Sequence, residues 1–237
     1  MFVARTRVER VEVAFTSARS GARPLNLALP GTPPAAVGDV EADLESVRRA
    51  LGASRVQGMH QVHGADVARV EDTTPDGPAP RVDALVTATP GVALVVRVAD
   101  CVPVLLADVD AGVVGGAHAG REGVRAGVVP AAVAALRAEG AQDVRAWIGP
   151  HVCGRCYEVP AAMRDELAER IPAAGATTAW GTPSLDLGAA VRVQLADAGV
   201  TEVEHLGLCT MEHDDLWSHR RDGAAAGRLA GIVQVVA

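Results

Sequence analysis

Three strand-length apolar runs, "VALVVRV", "VPVLLAD" and "GVVGGA", follow one another between residues 92 and 117, with no helical stretch between them. A doubly wound nucleotide-binding fold alternates strand with helix, so this succession argues against it. It favours a mixed central β-structure, paired sheets flanked by helices. Strand-like patterns also fall near 8–15, 54–57, 66–70, 83–87, 144–148, 203–208 and 231–236. Helical periodicity fits 39–51, 128–139, 160–170 and 186–198, with Pro160 in the first turn of one helix and Ser184 and Asp186 as candidate caps of another. The segments "LPGTPPAAVGD" and "TTPDGPAP" read as loop punctuation rather than linkers, and no internal repeat marks a second domain. The expected architecture is a single α/β domain spanning residues 1–237.

Although the chain is 49% hydrophobic it is only 3% aromatic, so its core must be built from small and β-branched side chains. All 22 basic residues are arginine, yet the net charge is −7 and no arginine-rich run is interleaved with aromatics, so nucleic acid is not an expected partner. The opening "MFVARTRVERVEVAF" alternates charged with apolar residues and lacks the apolar stretch of a signal peptide. Runs such as "GVALVV" and "CVPVLLA" are too short to span a bilayer, so no membrane association is expected. Four cysteines without a secretory signal point to reduced thiols and a cytoplasmic location. A monomer is expected.

"GMHQVHGADV", residues 58–67, sets His60 and His63 three apart. The flanking pattern is closer to strand than to helix period, and on a strand these two side chains face opposite ways. They are then not joint ligands of one ion, and the partners of the useful histidine must come from elsewhere. Cys101 and His118 both stand at element boundaries within "RVADCVPVLLADVDAGVVGGAHAGREGVRAG". Small residues around His118 let backbone or ligand approach. Taken singly, each also reads as a small buried hydrophobe or a turn histidine. With His63 they make two imidazoles and one thiolate, a set that leaves tetrahedral zinc one open position and also suits copper. A metal-free cysteine hydrolase, with Cys101 as nucleophile and His118 as base, uses the same residues. A metal- or nucleoside-binding module without turnover is a further reading. "CGRC", Cys153 to Cys156, has dithiol redox spacing without thioredoxin-like flanks. As half of a structural zinc site it needs two more ligands, and Cys209 or His151 would have to be recruited by the fold.

The blocks "HQVHG", "ADCVPVLL", "GAHAG", "WIGPHVCGRCYEVP" and "LGLCTMEHDDLWSHRRDGAAAGR" resemble, in order, the signature of the YfiH or laccase-domain family. Members are described as purine nucleoside phosphorylases of the laccase-domain type, formerly as polyphenol oxidases. "RPLNLAL", which carries Asn26, echoes a further block, and the resemblance runs from about residue 15 to 232. It implies a single α/β domain with central β-structure and helices outside. It also implies His63, Cys101 and His118 as ligands of a catalytic zinc, with copper as the other option, and this leaves His60, read as facing the other way, as at most a supporting or substrate-wall residue. The implied activity is phosphorolysis of adenosine, inosine, guanosine and methylthioadenosine, with adenosine deamination beside it. Phosphate suits the planar arginine fork, and the candidates are Arg220 and Arg221 in "SHRRDG" and Arg121 and Arg125 at the Gly-rich entry to the next helix. "HRRD" alone also reads as a solvated turn with a salt bridge. In one departure, the family usually continues His-Ala-Gly with Trp-Arg-Gly, whereas this chain has Arg121-Glu122-Gly123. Multicopper oxidation is excluded, because seven histidines without a His-x-His pair cannot build its copper centres.

Overall fold

The computed structural model describes residues 1–29, 39–71 and 78–236, so most of the two Pro/Gly-rich segments lies outside the described residues. Two mixed sheets form the centre. The first has the order β1 (Phe2–Val8), β2 (Val11–Thr16), β15 (Leu229–Val235), β8 (Val92–Val98) and β5 (Arg55–Gln57), antiparallel except where β5 meets β8. The second runs β14 (Glu202–His205), β11 (Arg145–Ile148), β9 (Val102–Asp108), β10 (Val113–Ala119), β7 (Ala84–Thr87) and β6 (Val67–Arg69), with parallel pairs only at its two ends. Two minor ladders join β3 (Arg19–Ser20) to β4 (Arg23–Pro24) and β12 (Gly175–Thr177) to β13 (Pro183–Leu185). The helices are α1 (Val40–Leu51), α2 (Arg121–Ala126), α3 (Val128–Ala138), α4 (Ala161–Arg170), α5 (Leu187–Asp197) and α6 (His219–Asp222).

β8, β9 and β10 are buried along their whole length, which demands cover on both faces. Alternation supplies it. Leu94, Val96 and Val98 of β8 pack with Leu85, Leu105 and Val114 of the opposing sheet. Ala93 and Val95, pointing the other way, pack with Val47 and Leu51 of α1. Val104, Leu106, Val113 and Ala117 turn outward onto Val129, Ala132, Val133 and Leu136 of α3. The result is four layers, helix on sheet on sheet on helix, and the expectation of paired sheets flanked by helices is borne out. Burying Leu136 alone contributes about 1.5–3 kcal/mol. Adjacent glycines on β10 keep the layers close. A Cβ at Gly115 would lie 2.4 Å from Leu136 Cδ1, and one at Gly116 would lie 2.7 Å from Val96 Cγ2.

Local signals explain α1. Asp39 caps its first turn through the Ala42 amide, and left-handed Gly52 ends it. Asp186 caps α5 in the same way, whereas Ser184, the other expected cap, donates its hydroxyl to the Gly154 carbonyl. Other expectations are corrected. The strand read at 8–15 is a hairpin, because Glu9 takes a φ of +53° and splits it into β1 and β2. The helix at 128 is preceded by a separate short helix, α2, which stops at Gly127 with a φ of +85°. The strand assumed through His60 and His63 is absent, since β5 ends at Gln57 and β6 begins at Val67. Among the described residues no helix is long and apolar enough to cross a membrane.

Candidate metal centre

Strand register brings the central residues together. In the antiparallel β9–β10 pair, His118 stands opposite Pro103, and continuing that register sets Gly120 opposite Cys101. The hairpin therefore delivers Cys101 and His118 to one end of the sheet. On the other side of β10, Ala117 pairs with Ala84, and the His118 amide donates to the Asp83 carbonyl at 2.8 Å. The fully buried Asp83 side chain then does two things at once. Its Oδ1 meets His118 Nδ1 at 2.8 Å, and its two oxygens accept the amides of Val62, His63 and Gly64 at 3.0, 2.9 and 2.7 Å. A φ of +61° at His63 lets three successive amides converge on one carboxylate. Backbone held in so sparsely populated a region is typical of functional sites.

The donor atoms of His63, Cys101 and His118 lie within 4.8 Å of one another. The two imidazoles meet edge to face with centroids 4.8 Å apart. Gly120 leaves this space open, because a Cβ there would lie 2.8 Å from His63 Cδ2 and 3.0 Å from Cys101 Sγ. With Nδ1 of His118 committed to Asp83, its Nε2 is the nitrogen turned towards Cys101, the usual arrangement behind a metal-ligating histidine. Two nitrogens and one sulfur in this geometry fit zinc, and copper by the same donor chemistry. Electrostatics agree. Burial alone would raise the Cys101 thiol, but the charge of His118 and hydrogen bonds from His118 and His63 bring it down to about 6. Burial would lower His118, yet the Cys101 thiolate and the Asp83 carboxylate push it up to about 9. Asp83, which burial would raise, is held below the usual carboxylate range by His118 and by the Gly64 and Val62 amides. Asp83→Asn is expected to weaken metal affinity by about 10–100-fold, as loss of such an orienting carboxylate does. Metal titration of the purified variant measures this, and an unchanged affinity would show that Asp83 does not orient His118.

These donors open onto a cavity of about 460 Å³. One wall is apolar, with Ala28, Leu29, Met59, Val98 and Ala99. The polar lining is His60, Gln61, Arg97, His219 and Arg228. Thus His60 and His63 face the same cavity, not opposite faces, because the segment between them is irregular. His60 nevertheless stays outside the three-donor cluster. Gln61 bonds both the amide and the carbonyl of Arg97 at 2.9 and 2.8 Å, anchoring this loop to the first sheet while Asp83 anchors it to the second. Arg97 is only 7% exposed, burial brings its guanidinium down to about 10, and its Nε has no hydrogen-bond partner among the described residues. Gly58 makes room for it, since a Cβ would lie 2.4 Å from Arg97 Nη2. Arg228 donates Nη1 to the carbonyls of Ala226 and Gly227, both at 2.9 Å. Among the described residues neither arginine has a carboxylate ion-pair partner.

The arginines singled out from the sequence lie elsewhere. Arg121 and Arg125 are both held by Glu122, at 2.5 and 2.7 Å. Arg221 pairs with Asp222 and also donates to the carbonyls of Thr210, His213 and Leu216. Arg220 lies over the Tyr157 ring and donates to the Glu158 carbonyl. Its amide donates to Asp100 Oδ2 at 2.6 Å, which fixes the turn carrying His219 into the cavity. Asn26 is fully buried, and its Oδ1 accepts the amides of Ala28 and Arg228. It supports two lining residues without lining the cavity itself.

Residues 25–236 match the family model described as multi-copper polyphenol oxidoreductase laccase. The chain belongs to the laccase-domain family. It is 54% identical over 206 residues to a purine nucleoside phosphorylase of Streptomyces coelicolor, covering 84% of this chain and 85% of the relative. It is 46% identical over 205 residues to a purine nucleoside phosphorylase of Mycobacterium tuberculosis, covering 86% and 81%. Among solved structures, YlmD of Geobacillus stearothermophilus superposes with a TM-score of 0.85 at 28% identity, covering 97% of this chain and 93% of that one. The YfiH protein of Bacillus licheniformis gives 0.83 at 26%, covering 95% and 92%. His63, Cys101 and His118 were singled out from the sequence but Asp83 and Arg97 were missed, and Gln61, His219 and Arg228 were passed over although they lie within the matching blocks. Asp83 had a weak signal, a carboxylate directly before the buried run Ala84–Thr87. Arg97 had one too, a lone charge inside the apolar run of β8.

Proposed function

We propose that this chain, working as one monomeric laccase-type domain over residues 1–237 in the cytoplasm, is a zinc-dependent purine nucleoside phosphorylase. Its substrates are adenosine, inosine, guanosine and methylthioadenosine with inorganic phosphate, and adenosine deamination is a side activity. One observation carries the reading: the three-donor cluster shares its cavity with two arginines that, among the described residues, lack carboxylate partners. With 29 acidic residues against 22 basic ones, acids are plentiful, so a buried guanidinium left without one signals an anionic ligand. The names of the relatives above, purine nucleoside phosphorylases, support the same assignment.

In this reading Arg97 and Arg228 take over the phosphate role that the sequence suggested for Arg220, Arg221, Arg121 and Arg125. Met59, Leu29 and Val98 offer the apolar wall for the nucleoside. A phosphate oxygen forms the new bond to the anomeric carbon as the carbon–nitrogen bond breaks. The electron pair passes to the purine, which accepts a proton, and His60 and His219 are the lining groups able to supply it. Zinc held by His63, Cys101 and His118 would supply Lewis acidity beside these groups. Copper can occupy the same donors.

The test is incubation with adenosine, inosine and methylthioadenosine, with and without phosphate, followed by product identification. Phosphate-dependent release of free base and ribose 1-phosphate (methylthioribose 1-phosphate from methylthioadenosine) is expected. Inosine from adenosine, with no phosphate-dependent product, would make the chain a deaminase. Activity retained in chelator by metal-free protein would favour a cysteine hydrolase, which the Cys101–His118 pair also suits. Because Glu122 is neutralised by Arg121 and Arg125, Glu122→Gln is expected to leave the phosphorolysis rate within about twofold, as for an exposed ion-pair cluster. A larger loss would show that the departure from the family's Trp-Arg pair reaches the cavity.

A further inference from the structure

"CGRC" has a counterpart that spacing alone could not assign, "CTME", residues 209–212. The two tetrapeptides are far apart in sequence but adjacent in space, joined by a bridge between His151 and Cys209. We propose that Cys153, Cys156, Cys209 and Glu212 form a second, structural zinc site. Their four donor atoms lie within 4.8 Å of one another, while sulfurs on a tetrahedral zinc at about 2.3 Å stand about 3.8 Å apart, so small side-chain adjustments close the site.

Each tetrapeptide turns as a metal knuckle does. The Cys156 amide donates to the Cys153 carbonyl at 3.0 Å, and the Glu212 amide donates to the Cys209 carbonyl at 3.2 Å. The Cys153 amide points at Cys209 Sγ from 3.4 Å, and the Cys156 thiol donates to Glu212 Oε1 at 3.6 Å. Three thiolates and a carboxylate on one dication leave excess negative charge, and Arg155, inside the first knuckle, pairs with Glu212 at 3.0 Å to offset it. Val152, Cys156 and Cys209 form a small buried cluster of their own, so this corner has little apolar core to hold it. A dithiol redox pair needs two sulfurs with access to a partner. Here a third sulfur and a carboxylate complete a closed four-donor set, the mark of a structural ion.

The site has a bearing on the centre already described. The Val152 amide donates to the Asp100 carbonyl at 3.0 Å, and the Thr210 hydroxyl donates to Asp100 Oδ1 at 2.6 Å. Thr210 of the second knuckle and Val152, the residue just before the first, therefore both grip Asp100, which holds a φ of +91° directly before Cys101. Metal analysis of the whole purified protein is expected to find about two zinc ions per chain, from one open and one closed donor set. Cys209→Ser and Glu212→Gln should each lower this towards one, His63→Ala should remove the other ion, and His63→Ala with Cys209→Ser should leave none. Titration of unmodified protein with an organomercurial, which needs no variant to fold, should release zinc in two separable steps. A second ion that persists in Cys209→Ser, or a Cys153–Cys156 disulfide in freshly purified protein, would overturn the proposal. Loss of zinc in Cys209→Ser but not in His63→Ala would support it while counting against zinc at the His63 centre.

Discussion

Replacing Cys101 with Ser, or His63 with Ala, is expected to strip the centre of its metal and lower phosphorolysis at least about a thousandfold, or about 4 kcal/mol of transition-state stabilisation. The thiolate is the donor that both neighbouring histidines stabilise, and a serine hydroxyl cannot ionise in its place. His60→Ala is the control that matters. His60 shares the cavity but not the donor cluster, so this variant should keep its metal and lose rate only moderately. Metal content and turnover measured side by side test both statements. Equal loss of metal in His60→Ala and His63→Ala would mean that the loop carries its ligand differently.

The second large effect belongs to Arg97→Met. Losing a charge-assisted hydrogen bond of about 1.5–3 kcal/mol should raise the KM for phosphate about 10–100-fold, with metal content and nucleoside KM little changed. The same substitution removes a buried cation that has no carboxylate partner among the described residues, which offsets the loss of its bond to the Met59 carbonyl, so the unfolding temperature should hold steady or rise. Lost phosphate affinity with retained stability is the signature of a binding group held in place at some energetic cost. A fall in melting temperature with an unchanged phosphate KM would assign Arg97 to the fold instead.

The sequence made the layered core readable because β8 to β10 carry apolar residues on both faces, a pattern that only cover from two sides can satisfy. Cys101 and His118 were legible as boundary residues, and their meeting follows from the antiparallel register of the β9–β10 hairpin, which the turn fixes. His63 was harder. Its neighbours suggested a strand, but residues 58–66 take their shape from Gln61 and Asp83 bonding to distant backbone, and hydrophobic periodicity carries no trace of such bonds. Arg97 was illegible for a similar reason. A charge in a strand reads as solvent-facing until the fold lays the loop containing Gly58 across it. The "HRRD" arginines were conspicuous because they are clustered, yet clustering supplied Arg221 with an internal partner, Asp222.

The loop from Gly58 to Asp66 also bears on what insertions and deletions the chain can tolerate. Surface connections usually accept extra residues, because each doubling of length costs only about 0.6 kcal/mol in closure entropy. This one is measured out between two fixed points, with Gln61 bonded to the backbone of β8 and the next three amides bonded to Asp83 at the edge of β7. One added residue between Gln61 and Gly64 would break one grip or the other, and with it the reach of His63 towards Cys101. Length here behaves as a chemical property of the centre, much as the identity of its three donor side chains does.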